Sequence, residues 1–181
     1  DKALLETALT HTSFANEARH GTKHNERLEF LGDSVLSIVV AEYLFTHSSL
    51  PEGDLTRMRA SLVCEAALFT FAQKIGLGRW LRLGHGEEMG GGRTRPSVVS
   101  DAFEAVIAAL YLDGGIDAAR AFILPFVTSA LTKQSAEEDY KTKLQEVVQQ
   151  NPSERLRYVV ASQTGPDHDK HFVVEVHLNS N

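Results

Sequence analysis

A chain of 181 residues with 43% hydrophobic and 23% charged side chains is long enough for one or two cores and has the makeup of a soluble globular protein. Its one cysteine, Cys64, excludes an internal disulfide and a cysteine-built zinc site and agrees with a reducing, cytoplasmic setting; no apolar run is long enough to span a bilayer, and no secretory signal opens the chain. A net charge of −6 excludes a uniformly basic nucleic-acid binder, yet seven of the 18 basic residues fall between Arg57 and Arg95 against three glutamates.

In chain order, ALLETALTH at 3–11 has helical spacing, and the polar run at 15–25 reads as a loop. A helix follows from Glu26 to about His47, apolar almost all round in its second half. Pro51 and Gly53 break it, and a second long helix is predicted from Asp54 to Lys74, ended by Gly76 and Gly78. The glycine-dense stretch 84–96 predicts an exposed, mobile loop. Ser97 starts a helix that Gly114 and Gly115 close, and another runs over 116–133 with Pro125 kinking or interrupting it. The composition shifts at 132–138, which reads as a linker. Beyond it DYKTKLQEVVQQN predicts a helix, and LRYVVASQ and HFVVEVHL predict two strands joined by a turn-rich loop. The fold class is therefore mainly α: a helical domain over 1–131 and a smaller α+β module over 139–181.

The chemistry lies in the acids. At 100° per residue, Glu26, Glu29 and Asp33 fall within an arc of about 60° on one helix face, with Leu28, Leu31, Val35 and Ile38 opposite as its core side. Asp101 and Glu104, three residues apart, share a face of another apolar helix. Taken singly, each acid reads as a cap, an ion-pair partner or a solvated side chain. Two apolar helices that both carry clustered acids without basic partners at i+4 make a stronger pattern. Side by side they would converge four or five carboxylates, an all-oxygen set suited to Mg²⁺, or to Mn²⁺ as a substitute, and to phosphodiester hydrolysis. A di-iron bundle needs two Glu-x-x-His motifs, and the chain has one, Glu17 to His20, in a predicted loop. The nucleophilic-hydrolase, zincin and phosphate-loop signatures are absent. Phe30, about 40° round from Glu26, packs either on a neighbouring helix or on a second copy of the chain.

NERLEFLGDSVL at 25–36 and SDAFEAVIAALYLDGG at 100–115 closely resemble the two catalytic motifs of the bacterial ribonuclease III family. ALTHTSFANE, EGDLTRMRASLV and IGLGRWLRLGHGE resemble it too. The resemblance implies an Mg²⁺-dependent, homodimeric endonuclease that cuts double-stranded RNA and leaves 5′-phosphates, as in processing of ribosomal and other precursor transcripts. By motif position, Glu29, Asp101 and Glu104 correspond to metal ligands, Asp33 and Glu104 to the catalytic acids, and Glu26 and Glu52 to supporting acids. Phe30 corresponds to an aromatic that family dimers insert into a socket on the partner. A non-cleaving double-stranded-RNA-binding protein on the same fold is the alternative, which the intact acids disfavour.

The last part resembles the start of a double-stranded-RNA-binding domain. The resemblance implies RNA contacts from Gln145 and Glu146 on its first helix and from His168 in its strand-connecting loop, reading A-form shape and phosphates. That module normally continues into a third strand and a second, lysine-bearing helix, so it is expected to be incomplete here. Residues 132–181 hold six basic and eight acidic side chains, few positives for a phosphate grip.

Overall fold

The computed structural model describes residues 1–18, 21–149, 155–164 and 170–179; the side chains of 134–143, 145–147, 149 and 171 lie outside that description. Among the described residues, seven α-helices precede a two-stranded antiparallel sheet: α1 Lys2–Ala8, α2 Thr12–Glu17, α3 Glu26–His47, α4 Glu52–Val63, α5 Glu65–Lys74, α6 His85–Met89, α7 Pro96–Gln149, β1 Leu156–Thr164 and β2 His171–Leu178. Short 3₁₀ turns occupy Leu77–Trp80 and Gly92–Thr94. The chain divides into two compact units, Asp1–Ala130 and Leu131–Asn181.

In the first unit α3 and the early part of α7 form the core. The buried stripe of α3 is Leu28, Gly32, Val35, Leu36, Val39, Val40 and Leu44, a 3.6-residue repeat. Ile38, expected on the core side, is 59% exposed and lies about 60° round the helix from Val35, outside that stripe. From α7, Val99, Ala102, Phe103, Ala105, Val106, Ile107, Ala108 and Ala109 are buried. The run of alanines gives little side-chain bulk on this face, which lets another helix come close. At Gly32 it comes closer still: a Cβ built there would stand 1.9 Å from the backbone carbonyl oxygen of Glu104. Glycine is thus required by the packing of α3 on α7, despite its helix cost of about 1 kcal/mol.

Four phenylalanines, Phe71, Phe103, Phe122 and Phe126, close the far side of this core with ring centroids 5.4–6.1 Å apart. Phe122 and Phe126 are reached by a turn at Gly115, where φ 73° and ψ −172° interrupt the helical dihedrals of α7. Only glycine holds that conformation readily, so the helix is broken where the Gly114–Gly115 pair predicts. Pro125 lies inside the helix and does not end it.

The single helix expected over Asp54–Lys74 is two. Cys64 is extended (φ −77°, ψ 158°) and serves as both the end of α4 and the N-cap of α5. The glycine-dense stretch 84–96 is likewise structured: Glu87 pairs with Arg95 and Glu88 with Arg93. Arg93 Nη1 also donates to the carbonyls of Gly78, Arg79 and Leu81 at 2.8–3.1 Å. Glycine supplies close approach here, since Gly78 would place a Cβ 2.1 Å from the Arg93 carbonyl oxygen. The start of the predicted 15–25 loop is the end of α2, and the helix continues without a break over 132–138.

The second unit contains the end of α7 and the β1–β2 hairpin. Its register pairs Leu156 with Leu178, Tyr158 with Val176 and Val160 with Val174, with a bulge between Val160 and Ser162. Alternation therefore gathers Tyr158, Val160, Phe172, Val174, Val176 and Leu178 on one face, all at least 40% exposed.

The α3–α7 approach predicts that Gly32→Ala lowers stability by about 3 kcal/mol, the upper part of the range for overpacked cores, because the clash is with backbone. Urea unfolding monitored through the helical signal measures it; an unchanged midpoint would show that the helices can separate at no cost.

Candidate metal centre

The same approach builds the acidic site. Glu29 lies on α3 three residues before Gly32, and Asp101 and Glu104 lie on α7 at the level of the Gly32 contact. Glu29, Asp101 and Glu104 each offer a carboxylate oxygen, and these atoms all lie within 4.8 Å of one another. All three residues are half-buried. Gly32 thereby sets the distance between the two walls of the site.

Three carboxylates this close cannot all stay ionised without a counter-charge. Burial, and then the charges of Asp33, Asp101 and Glu29, push Glu104 up to about 8. Burial, followed by Asp101, Glu26 and Asp33, raises Glu29. Burial and then Glu65 raise Asp101. Among the described residues no basic side chain pairs with the three. The missing element is positive charge, and oxygen donors at this spacing fit a hard divalent cation.

The other sequence-predicted acids are placed as follows. Asp33 is exposed on α3, one turn beyond Glu29, and its charge acts on both Glu29 and Glu104. Glu26 is exposed in the first turn, with His24 Nδ1 3.7 Å away, and reaches the cluster only through its field on Glu29. Glu52 opens α4, where its carboxylate accepts from Thr56 Oγ1 at 2.8 Å. It lines an apolar cavity of about 370 Å³ with Leu44, Phe45, Leu55 and Arg59. Phe30 is 79% exposed. Gln145 and Glu146 are on the helical backbone of α7 with side chains outside the description, and His168 lies outside the described residues.

Glu65 was not among the expected acids. It opens α5, a helix whose start at Cys64 no proline or glycine marks, so its proximity to Asp101 had no sequence signal beyond a glutamate in a first turn.

Comparison with known proteins gives the family. The ribonuclease-III-like family profile matches residues 1–131. The chain belongs to the ribonuclease III family. A second profile, the double-stranded RNA binding motif, matches residues 140–181. Ribonuclease 3 of Caldanaerobacter subterraneus subsp. tengcongensis is 49% identical over 182 residues, covering 98% of this chain and 80% of that protein. Ribonuclease 3 of Desulforamulus reducens is 48% identical, with 96% and 72% covered. The nuclease domain of the Campylobacter jejuni ribonuclease III, solved with flexibility in a region involved in its dimer formation, superposes with a TM-score of 0.65 at 43% identity, covering 71% of this chain and 87% of that one. Dicer from Pichia stipitis matches at a TM-score of 0.55 and 28% identity, covering 100% of this chain and 82% of that one. The protein is an endoribonuclease of the double-stranded-RNA class, which sets aside a non-cleaving RNA-binding protein. Among the described residues no helix is long and apolar enough to cross a membrane.

The raised acids predict a pH signature. Between the ordinary value of 4.5 and about 8, the folded state holds a proton on Glu104 that the unfolded chain has released. Stability in EDTA therefore falls as pH rises through that window. Thermal unfolding across it should show a steeper fall for the wild type than for Glu104→Gln, and parallel curves would refute the shift.

Proposed function

We propose that this ribonuclease III is a Mg²⁺-dependent homodimeric hydrolase of double-stranded RNA, with Mn²⁺ as a possible substitute, acting on ribosomal and other precursor transcripts in the cytoplasm. The observation that carries the reading is the meeting of Glu29, Asp101 and Glu104 oxygens within 4.8 Å, with Glu104 pushed up to about 8. These three side chains would hold the cation. Once bound, it supplies Lewis acidity toward a phosphodiester oxygen and eases deprotonation of water.

The chain's own groups do the rest. Asp33, exposed beside the cluster, would accept the proton of the attacking water; that water's oxygen bonds to phosphorus as the bond to the 3′ oxygen breaks. The products are a 5′-phosphate and a 3′-hydroxyl, the leaving oxygen taking up a proton. Glu104 acts from the buried side of the same site, where its charge depends on the occupancy of the cradle. Glu26 modulates Glu29 through space. Glu52 belongs to a different cavity in this protomer, and in a dimer it would act as a supporting acid at the edge of the cleft.

Exposure supports the dimer. Phe30, Ile38 and Phe45 are 79%, 59% and 77% exposed on α3, within an arc of about 80°. Such a face is an association surface more often than a solvated one. Two sites related by the dimer axis would cut each strand once and leave staggered ends. Gln145, Glu146 and His168 would contact the duplex from the RNA-binding module.

Glu104→Gln should reduce cleavage of a long RNA duplex at least about a thousandfold, roughly 4 kcal/mol of transition-state stabilisation, while duplex binding persists. Gel-resolved cleavage with Mg²⁺ and with EDTA measures both; undiminished cutting by the variant, or cutting in EDTA, would sink the assignment. Phe30→Ala should raise the dimer dissociation constant on the order of thirtyfold, as for an aromatic anchor worth about 2 kcal/mol. Sedimentation analysis reads it, and an unchanged monomer–dimer equilibrium would remove Phe30 from the interface.

A further inference from the structure

Five acids stand in or beside the cradle: Glu26, Glu29, Asp33, Asp101 and Glu104. Among the described residues, four of them have no basic side chain within ion-pair reach. Glu26 is the exception, with its Oε2 3.7 Å from Nδ1 of His24.

That nitrogen is the unusual atom. The His24 side chain is 33% exposed, yet Nδ1 is enclosed and has no hydrogen-bond partner. A polar atom shut off from water without a bond leaves its desolvation uncompensated. Shortening 3.7 Å to an ordinary N–H···O distance takes a movement of about 0.8 Å. The Glu26 side chain is 58% exposed and free to make it.

His24 can hold a neighbour because its own main chain is held. Asn25, the next residue, is 2% exposed. Its N–H donates to the Thr10 carbonyl at 2.9 Å, and its carbonyl accepts from the N–H groups of Leu28 and Glu29, both at 2.8 Å. The chain beside His24 is therefore tied to the α1–α2 connection on one side and to the first turn of α3 on the other. His24 and the backbone of Glu29 share one anchor.

What Glu26 gains is placement. Its charge acts on Glu29, so its field adds to the negative potential of the cradle. An exposed glutamate samples several rotamers, and a cation that draws on its charge must order it first. A side chain already held by His24 has less freedom to lose.

We propose that His24 is a positioning residue of the metal centre, holding the Glu26 carboxylate beside the cradle and thereby raising its affinity for a divalent cation. The inference rests on the metal-dependent reading above.

The test is Mn²⁺ binding to the full chain without RNA, read from the loss of the free-ion EPR signal. His24→Leu should weaken binding about fivefold, within the cost of ordering one glutamate side chain. His24→Asn returns an N–H near the Nδ1 position and should recover most of the loss, which a mere packing role would not allow. Lys23→Gln removes an exposed charge from the preceding residue and should bind as the wild type does. Glu26→Gln should weaken binding at least as much as His24→Leu. The double variant should be no weaker than Glu26→Gln alone, because His24 acts through that carboxylate. Matching thermal melts check folding. Unchanged binding in His24→Leu overturns the role, as does a His24→Asn variant no better than His24→Leu. Losses that multiply in the double variant, or an equal loss in Lys23→Gln, overturn it too. Wild-type Mn²⁺ uptake that is insensitive to His24 defeats this role alone. A wild-type chain that takes up no Mn²⁺ defeats the metal-dependent reading and this role with it.

Discussion

One missing methyl group organises the catalytic unit. At Gly32 the backbone of α3 meets the carbonyl of Glu104 so closely that any side chain would overlap it. The alanines of α7 admit the approach, the buried stripe of α3 secures it, and the acids on either side of the contact are carried into a shared cradle. Hydrophobic burial on both helices supplies the free energy that holds like charges together, since apolar surface stabilises at about 25 cal/mol per Å². The raised Glu104 is the visible strain of that arrangement, and a bound cation would relieve it. Fold and chemistry are therefore linked at one residue pair.

Most of this was legible in the chain. The 3.6-residue repeats located α3 and the start of α7, the Gly114–Gly115 pair located the break in α7, and alternation located the hairpin. Acid spacing predicted two charged walls, and Glu29, Asp101 and Glu104 do meet. What sequence spacing cannot give is the rotation of each helix about its axis. Ile38 was placed inward because it continues an apolar series, yet tertiary packing keeps Leu28 and Val35 and adds Leu36, Val39 and Val40 instead of Ile38.

Other features were hidden for different physical reasons. The α4–α5 junction at Cys64 has no proline or glycine, so helical periodicity runs through it unmarked. The 84–96 stretch has a loop's composition, but Arg–Glu pairs and the three-carbonyl grip of Arg93 order it. Gly32 itself reads as a weak helix residue in isolation. Its purpose is visible only from the other helix.

Because the cradle's width is set by backbone against backbone, it does not depend on the carboxylates it contains. Exchanging an acid for its amide removes charge and leaves the walls where they were. On the proposed assignment of the acids, such a protein would retain the outline of the cleft while losing the means to cut a duplex. The tight seat of one glycine thus makes the enzyme a natural starting point for a capture reagent, able to hold uncut duplexes long enough for them to be recovered and read.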